Sequence, residues 1–216
     1  MNKRKIYICF LLIMLFCNCA YAQKAVFNPK QYVLWEENVE LSWDYFLLKS
    51  NKNATKNKSK NSVEEAARIA TGISWSFEIN EKENMIVVYV QTYLDKKASW
   101  TLYHNKKKIE ADPDNSNKVL NHELGHFNIT EIYARKSRML ISEINAKSFG
   151  EVDKKVKKIV TDINDKSRKE QKQYDKETAH GTNAEKQAEW DKKIAERLKE
   201  LEQHKNIAVT IHLNKQ

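Results

Sequence analysis

Cysteine disappears from this sequence after residue 19: the chain has three, Cys9, Cys17 and Cys19. The rest of the chain therefore has no disulfide, no thiolate ligand and no cysteine nucleophile. Its core alone must hold the fold, and roughly 190 residues are enough for one domain with a real core. Proline and glycine are scarce, at two and four, which excludes collagen-like and Pro/Gly-rich segments. The apolar run from Ile6 to Phe16 is shorter than the roughly 20 residues a membrane span requires. Arginines interleaved with aromatics, as a nucleic-acid groove needs, are also missing. The net charge is +9, of which Lys3, Arg4 and Lys5 supply three, leaving +6 for the remainder. Those lysines are scattered among glutamates and asparagines. They read as a solvated basic surface, and no nucleic-acid partner is expected.

Lys3 to Lys5, the run Ile6 to Phe16 and the ending Ala20-Tyr21-Ala22 have the layout of a signal peptide spanning residues 1–22. The expectation is a secreted or periplasmic protein with no stable membrane anchor after cleavage. Phe16 and Asn18 precede Cys17 and Cys19, where lipid attachment calls for a small residue.

The remainder, 23–216, is read as a single α+β domain: β-rich over 23–110, helical over 111–205, with a short strand over 206–213. "NVELSWDYFLL" (38–48), "GISWSFEI" (72–79) and "NMIVVYVQTYL" (84–94) carry β-branched and aromatic residues, partly alternating. An antiparallel sheet is expected from them, and the polar 49–62 reads as a loop. After 110 the periodicity becomes helical. A first helix is predicted over about 117–145, with a turn at 147–151. A second helix follows, with Val152, Val156, Ile159, Val160 and Ile163 on one stripe and an end near His180 and Gly181. Thr182 and Glu185 suggest a capping box opening a third helix, lined by Trp190, Ile194, Leu198 and Leu201.

The chemistry lies in "VLNHELGHFNITEIYARK" (118–135). Residues four apart on a helix differ by about 40° in azimuth, so His122 and His126 can reach one cation. Imidazole suits zinc. Glu123 lies beside the pair, where a carboxylate can act as general base on a water. This is the H-E-x-x-H arrangement of zinc hydrolases. Two exposed histidines would give the same letters. However, Val119, Leu120, Leu124 and Phe127 flank these two and imply burial, and buried histidines need partners. Gly125 inside the helix costs about 1 kcal/mol against alanine, which makes sense if something approaches the backbone there.

A third ligand is expected. If the first two helices form an antiparallel hairpin turning near Phe149, Leu124 comes level with Tyr174. The second helix's stripe there turns polar, through Ser167, Glu170, Gln171, Tyr174 and Thr178. His180, about one turn beyond, is the first choice for the ligand, with Asp175, Glu170 and Glu131 as alternatives. Tyr174 is a candidate donor to a developing oxyanion. His104, His204 and His212 show no ligand spacing.

"LNHELGHFNITEIYARK" and "YDKETAHGTNAEKQAEW" (174–190) together resemble a bacterial family of secreted zinc-dependent proteases, domain of unknown function 922. Its members pair an H-E-x-G-H-F-D-I-x-E-x-x-A-R-like helix with a Y-D-x-x-T-x-H-G-like segment. Asn128 stands where an aspartate is more usual. "LSWDYF" (41–46) and "ASW" (98–100) also resemble the family's N-terminal signatures. The resemblance implies a zincin-like hairpin, Zn2+ as cofactor, and His122, Glu123, His126 and His180 as a functional set. The expected function is an exported zinc peptidase acting on a peptide or protein substrate. A non-catalytic zinc-binding module and a zinc amidase acting on cell-wall peptides are the alternatives.

Overall fold

The computed structural model describes residues 27–48, 66–102 and 112–214. The leader, the loop at 49–62 and His104 lie outside the described residues. Strands come first and helices after them, so the fold is α+β.

The longest strands are β4 (Thr71–Asn80) and β5 (Met85–Asp95), an antiparallel pair in register from Thr71 opposite Leu94 to Asn80 opposite Met85. Along β5, burial alternates residue by residue. Ile86, Val88, Val90 and Leu94 are fully buried on one face, as a half-covered sheet demands. The far edge of β5 is shared end to end by β1 (Tyr32–Leu34) and β7 (Ala208–His212), both antiparallel to it. A second, small sheet places β6 (Trp100–Thr101) between β2 (Leu47–Leu48), which is parallel to it, and β3 (Ala67–Arg68), which is antiparallel. This mixed sheet departs from the antiparallel expectation. So does the stretch 38–48. Ser42 accepts a hydrogen bond from the Asp44 N–H and caps a 3-10 turn at Trp43–Tyr45, leaving only two residues as strand.

Three helices follow: α1 (Pro113–Ser142), α2 (Phe149–Thr178) and α3 (Ala184–Glu200). Asp112 caps α1 through the Asn115 N–H, with Pro113 in the first turn, and Ser148 caps α2 through the Glu151 N–H. α3 begins one residue later than its predicted box. Asn183 is the cap, and Thr182 instead donates to the Ala179 carbonyl. α1 lies between the sheet and the other two helices. It is buried nearly all round: Phe127, Ile129, Ile132, Ala134 and Ile141 have no exposure. α2 buries one stripe, which runs from Val152, Val156, Val160 and Ile163 into Ser167, Tyr174 and Thr178. Its contacts with α1 run antiparallel, with Tyr133 meeting Glu170, His126 meeting Gln171 and His122 meeting Asp175.

Three charged side chains form a cluster in the interior. Glu131, Arg135 and Arg138 are each at most 2% exposed. Glu131 accepts from Arg135 Nε at 3.1 Å, Arg138 Nη1 at 2.8 Å and Thr92 Oγ1 at 2.7 Å. Arg138 also donates to the carbonyls of Val90 and His204, and Arg135 to that of Leu198. The cluster ties α1 to β5, to α3 and to the residues leading into β7. Removing one member strands a buried charge. Glu131→Gln should therefore lower unfolding stability by about 3–5 kcal/mol, read as a lower denaturant midpoint at unchanged m-value. A shift too small to measure would show that the cluster is solvated.

Candidate metal centre and cleft

His122 and His126 stand one turn apart on α1, with ring centroids 4.8 Å apart and planes 83° to each other. Across the helix pair, α2 presents Asp175. Its Oδ1 is 3.2 Å from His122 Nε2 and 2.9 Å from His126 Nε2. One atom from each of these three residues can be chosen so that all lie within 4.8 Å of one another. This is a candidate metal-binding cluster.

The other ring nitrogens are held by amides. His126 Nδ1 meets Gln171 Oε1, and His122 Nδ1 lies 3.1 Å from Gln187 Oε1. Both amides are oriented independently. Gln171 Nε2 donates to the His126 carbonyl and to Thr130 Oγ1, while Gln187 Nε2 donates to the Tyr174 hydroxyl and to Asp191. With both Oε1 atoms aimed at the histidines, the network assigns each Nδ1 a proton. With a neutral ring each Nε2 then offers a lone pair to a cation, and with a protonated ring each Nε2 donates to Asp175. Such outer partners fix a metal ligand's tautomer and orientation. Burial of Asp175 favours its neutral form, but hydrogen bonds from His122 and His126 outweigh this and hold the carboxyl below its usual range. Burial pushes the His126 pKa down, yet the Asp175 hydrogen bond and the Glu123 charge carry it above its ordinary value.

His180 sits at the rim, 37% exposed, with Nδ1 3.5 Å from Asp175 Oδ1. It is next to the cluster, and Asp175, one of the alternatives, holds the third position within it. The other two alternatives are engaged elsewhere. Glu131 belongs to the buried arginine cluster. Glu170 accepts from the Tyr133 hydroxyl and from Arg197. Burial and Glu170 push the Tyr133 hydroxyl up to about 12, so it stays a donor.

Tyr174 does not reach the cleft. It is fully buried and stacks on His122 at 4.6 Å and 15°. Its hydroxyl donates to the His122 carbonyl and accepts from Gln187. The interior that makes it a packing residue also pushes its pKa far above the ordinary value. This ring is what approaches Gly125: a Cβ there would lie 2.2 Å from the Tyr174 oxygen.

Glu123 is 3% exposed, and its Oε2 accepts from the Ile69 N–H at 2.7 Å. That amide belongs to the segment 66–72, which forms one wall of a cleft of about 480 Å³. α2 forms the facing wall, and His122, Glu123 and His126 lie on its floor. Ser99 holds the first wall in place, accepting from the Ala70 N–H and donating to the Asp95 carbonyl. Asn128 accepts from the Trp35 indole at 2.8 Å, a task that either an asparagine or an aspartate oxygen can perform.

The sequence reading placed Gln171 on the polar stripe without a role and missed Gln187. Gln187 occupies an apolar-stripe position of α3, with Trp190 and Ile194 three and seven residues on. A polar residue at such a position was the available signal.

Gly125→Ala should destabilise the protein by about 1–3 kcal/mol through overpacking, against a helix-propensity gain of about 1 kcal/mol. A raised denaturation midpoint would contradict the packing described. For Glu170, burial raises the pKa, but Arg197 and Tyr133 lower it further, so the net value lies below the ordinary 4.5. Its contribution is present above that ordinary value and is lost as pH falls through the folded value. The stability gap between wild type and Glu170→Gln should shrink between about pH 6 and about pH 3. A gap independent of pH would remove the ion pair as its cause.

No curated protein and no solved structure matches the chain. A family model does: "Bacterial protein of unknown function (DUF922)" matches residues 49–181. The matched region holds both cluster histidines, Asp175, His180 and the helix pair that brings them together, and it covers more than half of the chain. The chain belongs to this bacterial family.

Proposed function

We propose that this protein binds a divalent transition metal of the zinc class through His122, His126 and Asp175, with His180 beside them. The observation that carries this reading is the mutual aim of three electron-pair donors. Gln171 and Gln187 keep the protons on Nδ1, so both Nε2 atoms and Asp175 Oδ1 face one another. In the neutral rings that arrangement suits a cation shared by the three atoms. Two imidazoles and a carboxylate form a set suited to zinc. The apolar leader at 6–16 supports placing the protein outside the cytoplasm, secreted or periplasmic.

A second reading, hydrolysis of peptide bonds, is favoured by Glu123. Its buried carboxylate stands next to the histidines, on the floor of an open cleft. A bound cation would polarise a substrate carbonyl and lower the pKa of water to about 7. The chain's own contribution is the Glu123 carboxylate, which takes a proton from the attacking water and returns it to the leaving amine. Ile69 N–H orients that carboxylate. The cleft between segment 66–72 and α2 would hold an extended peptide.

The mature chain should carry about one equivalent of zinc by elemental analysis, and His126→Ala or Asp175→Ala should lose it. Absence of stoichiometric metal from wild type would remove both readings. Glu123→Gln should keep the metal and lose about 10²–10⁴-fold in cleavage of a mixed peptide library. Equal cleavage by both proteins would leave metal binding intact and remove the hydrolytic reading. Release of cell-wall fragments without cleavage of ordinary peptides would redirect the activity to an amidase.

A further inference from the structure

The cleft carries more positive charge than the candidate centre accounts for. Beyond Glu123 and Asp175, its described lining contains no carboxylate, but it contains Arg68, Arg168 and Lys172. Arg68 comes from the 66–72 wall and lies over the Trp100 ring. Arg168 and Lys172 come from the facing wall, on α2. Arg168 pairs with Asp165, which is more than half exposed and does not line the cleft. Among the described residues, the Lys172 ammonium has neither an ion pair nor a hydrogen bond. A lysine with no partner among the described residues, one turn from Arg168 on the same wall, makes a field that attracts anions.

The spacing suits an extended chain. On α2, Lys172 precedes Asp175 by three residues and Arg168 precedes it by seven, which is about 4.5 and 10.5 Å along the axis at 1.5 Å per residue. Seven residues are close to two full turns, so Arg168 and Asp175 share a face. An extended peptide advances about 3.3 Å per residue. The two cations therefore stand about one and three residues from a bond placed at the centre. We infer that the cleft selects peptides carrying a carboxylate one to three residues from the position at the metal centre, held by Lys172 and Arg168, which precede Asp175 along α2. This rests on the reading of the cleft as a substrate site, although recognition is separable from cleavage. The carboxylate can come from an Asp or Glu side chain or from the peptide's C-terminus.

The test measures binding of fluorescent peptides to the full-length mature protein, zinc-loaded and in low salt. One arm uses C-terminally amidated peptides with Glu, Gln or Lys at each position. The other uses neutral side chains with a free or an amidated C-terminus. At least one carboxylate arm should bind about tenfold more tightly than its neutral counterpart, and the preference should fall as salt rises. The double variant Arg168→Ala, Lys172→Ala should abolish the preference. Lys172→Glu should shift it towards the Lys peptide, an outcome that a merely structural lysine would not produce. Equal affinity for Glu and Gln peptides and for free and amidated termini would overturn the inference. So would a carboxylate preference that persists in the double variant. If carboxylate peptides bind selectively and none is cut, this inference stands and the hydrolytic reading falls.

Discussion

The contact of the Tyr174 ring with the Gly125 backbone sets the height of α2 on α1, and the candidate centre depends on that height. A helix pair joined only by an aliphatic stripe tolerates slippage, because valine and isoleucine knobs fit several neighbouring grooves. Val152, Val156, Val160 and Ile163 form such a stripe. Tyr174 removes the freedom: its ring fits where the facing helix has no Cβ, and its hydroxyl reaches the His122 carbonyl. The same hydroxyl accepts from Gln187, whose carbonyl faces His122 Nδ1. One aromatic ring thus couples the helix register, the placement of α3 and the tautomer of a candidate ligand.

Two glutamates eight residues apart on α1 show how environment divides roles between identical side chains. Glu131 is enclosed by two guanidinium groups and a threonine hydroxyl, and those guanidinium groups extend to backbone carbonyls of β5 and the C-terminal region. It anchors the helix to the rest of the molecule. Glu123 is equally buried, yet it faces a backbone N–H in the wall of an open cleft and stands beside two imidazoles. Buried charges are costly unless satisfied. Both are satisfied, the first by two guanidinium groups and a hydroxyl, the second by the Ile69 N–H that ties α1 to the cleft wall.

Much of this was legible because it depends on periodicity. The alternation in 84–94, the stripe from Val152 to Ile163 and its polar continuation all appear as read. The mirror argument about Phe149 put Leu124 level with Tyr174, and the ring in fact meets Gly125. What escaped the reading was side-chain partnership across elements. Nothing in the order of residues says that Glu131 meets Arg138 and Thr92, or that Gln187 turns its carbonyl towards His122. Local hydrogen bonding also escaped it: Ser42 converted an expected strand into a turn, and Asn183 displaced Thr182 as a cap. The helix end near His180 and Gly181 was legible from the glycine, but not that Asp175 stands nearer to the two imidazoles than His180 does.

That helix end gives His180 its place. After Thr178, three successive residues adopt left-handed conformations: Ala179 at φ 47°, His180 at φ 54° and Gly181 at φ 80°. Many helices end on a single such residue. The two non-glycine residues cost roughly 1–2 kcal/mol each, and strain of this kind persists only where the surroundings over-determine it. They do so here. His180 N–H donates to the Asp175 carbonyl, Asn183 N–H to that of Thr178, and Gly181 N–H to Thr178 Oγ1. Gly181 packs against His122, where a Cβ would come within 2.8 Å of the histidine's own. A relaxed helix end would carry the His180 ring away from the cleft. The strained one holds it by its backbone to Asp175, the residue whose carboxylate its side chain faces, so the two cannot move independently.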